Sequence, residues 1–340
     1  MRFLIPSISF IAAVMLGSCA QDDNTQDTPA TAGIGFSAVA PKASRAAATT
    51  TASLQNFIVY AYTESSILMD GVTVSRDGGS WTYSPIVYWP GTAVNFYAIS
   101  PDIRGYVPES SDGSHTIREM TYGGTDLIYA VSLNQHERPT PVDLTFRHAM
   151  SKIAVMLSSA NSKYNIKVYH VLLRNIFLKG DFSLPDETTT NVTAEGEWEN
   201  LDLKSDAMVF YDHGTPISLS STPVDITSNN LDASFFVPQP LDPFSFTTSG
   251  QFSGGYIQVD CEIIDKASGK KIWPSEYTPD YLLVDNSPCG RMLFPLLTAD
   301  VKKWHQGYSY IYNIIINNSY VLDTIEFQPG VIDFTEEQPY

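Results

Sequence analysis

Cysteine is scarce in this chain, with three among 340 residues, too few for a disulfide scaffold to hold a fold of this size together. Positive charge is scarce too: 20 lysines and arginines stand against 37 aspartates and glutamates, for a formal charge of −17. That balance disfavours nucleic acid and anionic membrane surfaces as partners. A helix needs about 20 apolar residues to span a bilayer, and the run from Phe3 to Leu16 is shorter than that. The six histidines, at 115, 136, 148, 170, 213 and 305, are scattered and lack a paired nucleophile. No Gly-x-Ser-x-Gly elbow, phosphate loop or dinucleotide fingerprint occurs, which argues against acyl transfer and nucleotide chemistry. Metal-ligand spacings such as His-x-x-x-His, Cys-x-x-Cys and Asp-x-Asp-x-Asp-Gly are missing as well. The expectation is a non-enzyme with no catalytic residue, cofactor or metal.

What the chain does have is apolar content of 43%, including 12% aromatic residues, ample for packed cores and against global disorder. It opens on Met1-Arg2, the apolar run, and then Leu16-Gly17-Ser18-Cys19. A run this short behind a basic start, ending in small residues, reads as a signal segment rather than a spanning helix. The cysteine at the cleavage point makes it resemble a bacterial lipoprotein signal with a lipobox at Leu16–Cys19. The implied product is lipidated on Cys19, exported and anchored to the outer membrane. The plainer alternative is an ordinary signal peptide with a chance cysteine.

After residues 1–19, the segment 20–53 is a polar, acidic tether with one short alternating strand inside it, in which Ile34, Phe36 and Ala38 are interleaved with Gly35 and Ser37. A lone arginine, Arg45, follows among small residues and precedes Ala46. From Leu54 onward the text is β nearly throughout, rich in β-branched and aromatic residues. Strands are expected at 57–62, 81–83, 94–99, 126–130, 144–157, 166–178, 208–211, 233–237, 244–247, 256–264 and 308–316, with Gly180-Asp181 as a turn and Tyr106 to Thr121 as loop. The single modest helix candidate runs from Pro295 to Lys303. Frequent turn signals argue for antiparallel β-sandwiches over α/β units. Gln135 to Pro141, with Pro139 and Pro141, is the best boundary, giving an N-terminal sandwich at 54–140 and a C-terminal one at 141–340. In the tail, Ile325 and Phe327, then Ile332 and Phe334, alternate with polar residues.

Weak chemical candidates each have a plainer reading. Glu195, Glu197 and Glu199 around Trp198 offer carboxylates for glycoside hydrolysis, but an exposed turn or strand edge explains them better. Trp81, Tyr83, Tyr88 and Trp89 are a candidate glycan site, although such residues in a half-buried sheet are usually core. His148 reads as a satisfied core histidine. Cys261 and Cys289 remain open between a disulfide and two buried thiols.

Several segments in order resemble the fimbrillin family, pilins of Bacteroidales that build type V pili. They are Trp81-Thr82-Tyr83-Ser84-Pro85, Tyr88-Trp89-Pro90, Val94 to Pro101 and Asp126 to Ala130. Further on stand Leu144-Thr145-Phe146-Arg147-His148-Ala149-Met150-Ser151-Lys152-Ile153, Phe236-Val237-Pro238-Gln239 and Trp304-His305-Gln306-Gly307-Tyr308-Ser309-Tyr310. The resemblance implies transthyretin-like sandwiches and a structural role in surface adhesion, with other pilin subunits, the outer membrane and a host or bacterial surface ligand as partners. It implies cleavage after an arginine, for which Arg45 and Ala46 are the candidates and an ordinary linker arginine the alternative. The strand then removed carries Ile34, Phe36 and Ala38. The groove it leaves takes a strand from another subunit, for which the tail residues Ile325, Phe327, Ile332 and Phe334 are the candidate donors. This tail departs from many family members in lacking a tryptophan anchor. The alternative is a monomeric surface lipoprotein that binds glycans through exposed aromatics.

Overall fold

The computed structural model of the chain describes residues 32–40, 51–101, 115–123, 126–191, 193–212, 214–227, 235–247 and 249–316 and, as backbone, 327–333. These residues are β almost throughout, with a short 3-10 turn at Asp280–Leu282. No helix among them is long and apolar enough to cross a membrane.

A six-stranded antiparallel sheet runs in the order Ser80–Thr82, Ile67–Asp77, Asn56–Tyr62, Val94–Ser100, Ile128–Gln135, Arg147–His148. Its middle strands read as near-continuous apolar runs because both faces are covered. Phe57, Val59, Ala61, Phe96 and Ala98 face a core shared with Ile34, Phe36, Val142, Leu144 and Phe146. Ile58, Tyr60, Tyr97, Ile99, Tyr129 and Val131 face a second core with Ile117, Met120, Phe182 and Leu184. The latter residues sit on or beside a three-stranded sheet of Thr116–Thr121, Phe177–Ser183 and Glu197–Lys204.

The remaining strands form a face-to-face sandwich. One sheet holds Met208–Tyr211, Tyr164–Arg174, Tyr256–Asp265 and Lys271–Trp273, with Gly290–Pro295 also paired to Tyr256–Asp265. The other holds Val224–Asp225, Ser151–Ser158, Tyr308–Ile315 and, outermost, Phe327–Asp333. Alternate residues of both, such as Ile153, Val155, Leu157, Val259, Ile263, Tyr310 and Tyr312, fill the core between them. Buried Trp304 donates its indole N–H to the Tyr312 hydroxyl at 2.8 Å. Among the described residues two pairings are parallel: Phe36–Val39 with Val142–Thr145, and Ser151–Ser158 with Tyr308–Ile315.

Four local expectations are corrected. The expected strand 144–157 is three strands, Val142–Thr145, Arg147–His148 and Ser151–Ser158, each in a different sheet. Burial changes phase along it, from Val142, Leu144 and Phe146 to Ile153, Val155 and Leu157, and a strand that changes face has to break. Gly180-Asp181 is no turn: the chain turns at Asn175, in the left-handed region with φ 56°, and runs straight through Gly180 at a bulge. A Cβ on Gly180 would sit 2.8 Å from Leu201 Cδ2, so close packing accounts for this glycine. The expected helix 295–303 is absent. Its apolar residues Leu296 and Val301 are both buried, at a spacing that no single helix face provides. Finally, 116–121 is a strand of the three-stranded sheet rather than loop.

Candidate functional site

The leading strand is held on both sides. Toward its C-terminal end Phe36–Val39 runs parallel to Val142–Thr145, with Phe36 opposite Val142 and Ala38 opposite Leu144. Flanking bonds run from the Val142 N–H to the Gly35 carbonyl and from the Phe146 N–H to the Val39 carbonyl, both 2.8 Å. Toward the other end the Ile34 N–H donates to the Val87 carbonyl at 2.9 Å, and the Trp89 N–H to the Ala32 carbonyl at 3.2 Å. The Tyr83 hydroxyl donates to the Ile34 carbonyl at 2.7 Å. Burial pushes the Tyr83 phenol above its ordinary value, against a smaller opposing effect of its backbone bond at Val87, so it keeps its proton as a donor.

The side chains explain why this short strand stays in place. Ile34 and Phe36 are 2% and 4% exposed. Phe36 lies in a box of rings, 5.7 Å from both Tyr83 and Phe96 and 6.2 Å from Phe57. Ala38 is half-buried against the same core. Burying two such side chains stabilises the docked strand by roughly 1.5–3 kcal/mol each. On the outer side the Ser37 hydroxyl donates to Asp143 Oδ1 at 2.5 Å, and the Ala32 N–H to Glu137 Oε1 at 3.1 Å. Just beyond the strand, Ala40 and Thr51 bond reciprocally: the Ala40 N–H donates to Thr51 Oγ1 at 3.1 Å and the Thr51 hydroxyl to the Ala40 carbonyl at 3.0 Å. The residues between them, 41–50, contain Arg45 and Ala46 and lie outside the described residues, as does Cys19.

The tail strand Phe327–Asp333 pairs antiparallel with Tyr308–Ile315, from Phe327 opposite Ile314 to Asp333 opposite Tyr308. It contains Phe327 and Ile332; Ile325 and Phe334 lie outside the described residues. Tail and leading strand therefore sit in different sheets. The sequence reading missed the groove's walls: Tyr83, Glu137, Val142 and Asp143. Alternation of Val142, Leu144 and Phe146 with Asp143 and Thr145 was the available signal for one wall.

The other candidates resolve into packing. Trp89 is 3% exposed and meets Phe96 at 5.9 Å, and Trp81 packs on Phe57 at 4.9 Å; of the four aromatics only Tyr88 is exposed. Glu195, Glu197 and Glu199 are exposed, while Trp198 leans on Phe182 and donates to the Ala149 carbonyl at 2.8 Å. His148 is buried with Nδ1 2.8 Å from Asp126 Oδ1. Cys261 and Cys289 are both free and buried. No cluster of histidine, cysteine and carboxylates is placed to hold a metal among the described residues. A separate open cleft of about 1010 Å³ is lined by Phe244, Phe246, Phe252, Tyr277 and Tyr281, with Lys270 and Glu276 on its walls.

The model of the fimbrillin-like family matches residues 44–332. Among curated proteins the chain finds no match. Solved structures similar to it include a fimbrial protein of Bacteroides vulgatus, with 12% identity, TM-score 0.49 and coverage of 89% of this chain and 99% of that one. A protein of Bacteroides uniformis provisionally assigned to cell adhesion aligns at 14% identity and TM-score 0.47, again over 89% and 99%. The tip fimbrial protein Mfa3 of Porphyromonas gingivalis, truncated at its C-terminus, aligns at 12% identity and TM-score 0.35, over 86% and 98%. On the extent of the family match, this chain belongs to the fimbrillin-like family, structural proteins of surface fimbriae rather than enzymes.

Proposed function

We propose that this chain is a pilin subunit exported as a lipoprotein on Cys19, carried to the outer membrane, cut between Arg45 and Ala46, and assembled by strand exchange into fimbriae that serve adhesion. The observation that carries this reading is the burial of Ile34 and Phe36 between walls supplied by distant parts of the chain, on a strand followed directly by the segment that holds Arg45. A strand tethered by a short link acts at an effective concentration of about millimolar. An incoming subunit competes only once that link is cut. The vacated groove then offers bare backbone along Val142–Thr145 and apolar pockets behind it, the two requirements of β-augmentation. The tail residues Ile325, Phe327, Ile332 and Phe334 supply the donor strand. The same reading takes 54–140 and 141–340 as two sandwich domains.

Treating precursor with a trypsin-like protease and running unboiled gels tests the proposal. Wild-type chains are expected to give a ladder of polymers and Arg45→Ala to remain a folded monomer; an equal ladder from both makes Arg45 a linker residue. Lipidation is tested separately by labelling with radioactive fatty acid, where Cys19→Ala is expected to abolish incorporation.

A second reading, a monomeric lipoprotein that binds glycans, is favoured by the aromatic cleft around Phe246 and Tyr277. Tail deletion separates the two, since a monomeric binder keeps its ligand without the tail and a pilin stops polymerising.

A further inference from the structure

Beyond the signal segment, the pattern Ile-x-Phe occurs at three places in the chain: Ile34-Gly35-Phe36, Ile325-Glu326-Phe327 and Ile332-Asp333-Phe334. The first is the pair that fills the groove. The other two both lie in the tail, and they are not equivalent. Strand side chains alternate between faces, and the two tail repeats begin at positions of opposite parity. In one regular strand, Ile325 and Phe327 point to one face while Ile332 and Phe334 point to the other. A single register therefore inserts one repeat and turns the other away.

Two points on the groove wall, beside Ser37 and beside Ala32, distinguish the two registers. The place of Ala38, half-buried against the core, takes Glu336 in the Ile332 register and Pro329 in the other. Ser37, next to Phe36, gives its hydroxyl to Asp143. Thr335 follows Phe334 and carries a hydroxyl at the same branch point; Gln328 follows Phe327 and does not. Ala32 gives its N–H to Glu137. With Ile332 in the place of Ile34, Gly330 stands at that position, whereas the Ile325 register puts the carboxylate of Asp323 beside Glu137, and like charges repel. At Gly35 an added Cβ would lie 3.9 Å from Pro141, ordinary contact distance, so Asp333 fits there. The tightest point is Gly33, where a Cβ would lie 3.0 Å from Ile86 Cγ2. Val331 takes that place, and Ile86, itself 51% exposed, has room to swing aside.

We propose that the groove selects a second copy of this chain through the register Ile332-Asp333-Phe334-Thr335, with Ile332 in the pocket of Ile34, Phe334 in the ring box of Phe36 and the Thr335 hydroxyl on Asp143. The proposal rests on the strand-exchange reading above and names which residues are exchanged. It makes the chain self-complementary and assigns Ile325 and Phe327 to the outward face of the donated strand.

The test uses full chains cut by a trypsin-like protease and compared on unboiled gels. Phe334→Ala is expected to abolish the ladder and Phe327→Ala to leave it intact. Thr335→Val, which removes one hydroxyl and keeps the shape, is expected to slow assembly roughly tenfold, the effect of losing one hydrogen bond to a charged group. If Phe327→Ala blocks assembly and Phe334→Ala does not, the register is overturned while strand exchange stands. If wild-type chains form no ladder, the strand-exchange reading itself falls. Synthetic peptides keep the question open to measurement should a variant misfold: a peptide of residues 329–340 is expected to cap cut wild-type chains and one of residues 321–330 to leave them growing. The reverse result overturns the proposal.

Discussion

The two terminal strands of this chain are held in opposite ways. The leading strand Phe36–Val39 has a parallel neighbour in Val142–Thr145, backbone bonds from Ile34 to Val87 and from Trp89 to Ala32 just before it, and the side chains of Ile34 and Phe36 sunk in a ring-lined core. The tail strand Phe327–Asp333 lies at the edge of its sheet and, among the described residues, pairs with Tyr308–Ile315 alone. Enclosure makes the first costly to remove, whereas an edge strand leaves by breaking one ladder and exposes a strand that water can solvate. The difference matches the proposed division of labour, in which one strand is a plug that only proteolysis releases and the other is free to be given away.

The contrast is open to direct attack. Phe36→Ala strikes the plug hardest: it leaves a void among Phe57, Tyr83 and Phe96, and truncating a buried phenylalanine costs about 3–5 kcal/mol. Thermal melting of the uncut precursor should register this loss. In chains cut at Arg45 and assembled into polymer the same substitution is expected to change nothing, because the residue has been displaced with its strand. Deleting residues 327–340 is expected to lower the melting temperature less than Phe36→Ala does while ending polymer growth; a larger fall would mean that the tail is a structural strand and not a spare one. Tyr83→Phe removes only the hydroxyl that donates to the Ile34 carbonyl and is expected to cost about 0.5–1.5 kcal/mol in urea titrations of the precursor. That loss too should vanish once a donor strand has displaced the leading strand.

Much of this architecture was legible in the residues because alternation reports burial directly. Ile34 and Phe36, separated by glycine and flanked by polar tether, announced a strand with one apolar face, and they are buried. The segments 94–99 and 256–264 read as strands for the same reason. Pairing partners were hidden, since alternation gives a strand its face but no neighbour. Nothing local in Phe36 points to Val142, or in Lys152 to Ser309. The stretch 144–157 misled because its composition is uniformly strand-like, and only the phase of its apolar positions marks the passage between sheets. At Gly180 a glycine beside an aspartate imitates turn chemistry, yet the residue serves the approach of Leu201. The groove is therefore half legible, its plug plain in the sequence and its walls apparent only once the chain is folded.

The parallel pairing of the leading strand also orders events in time. Ser37 meets Asp143 across 106 positions of sequence, and contacts of such separation form late, because closing a long loop costs entropy before any contact rewards it. The central sheet between them is built largely from hairpin neighbours and local meanders, so it is expected to assemble first, before Val142–Thr145 gains its partner in Phe36–Val39. Because Phe36–Val39 belongs to the same chain, it covers Val142–Thr145 by a unimolecular step that no neighbouring chain has to supply. Under the proposed maturation, the segment to be removed would work as a built-in chaperone that keeps the groove occupied until a second subunit takes its place.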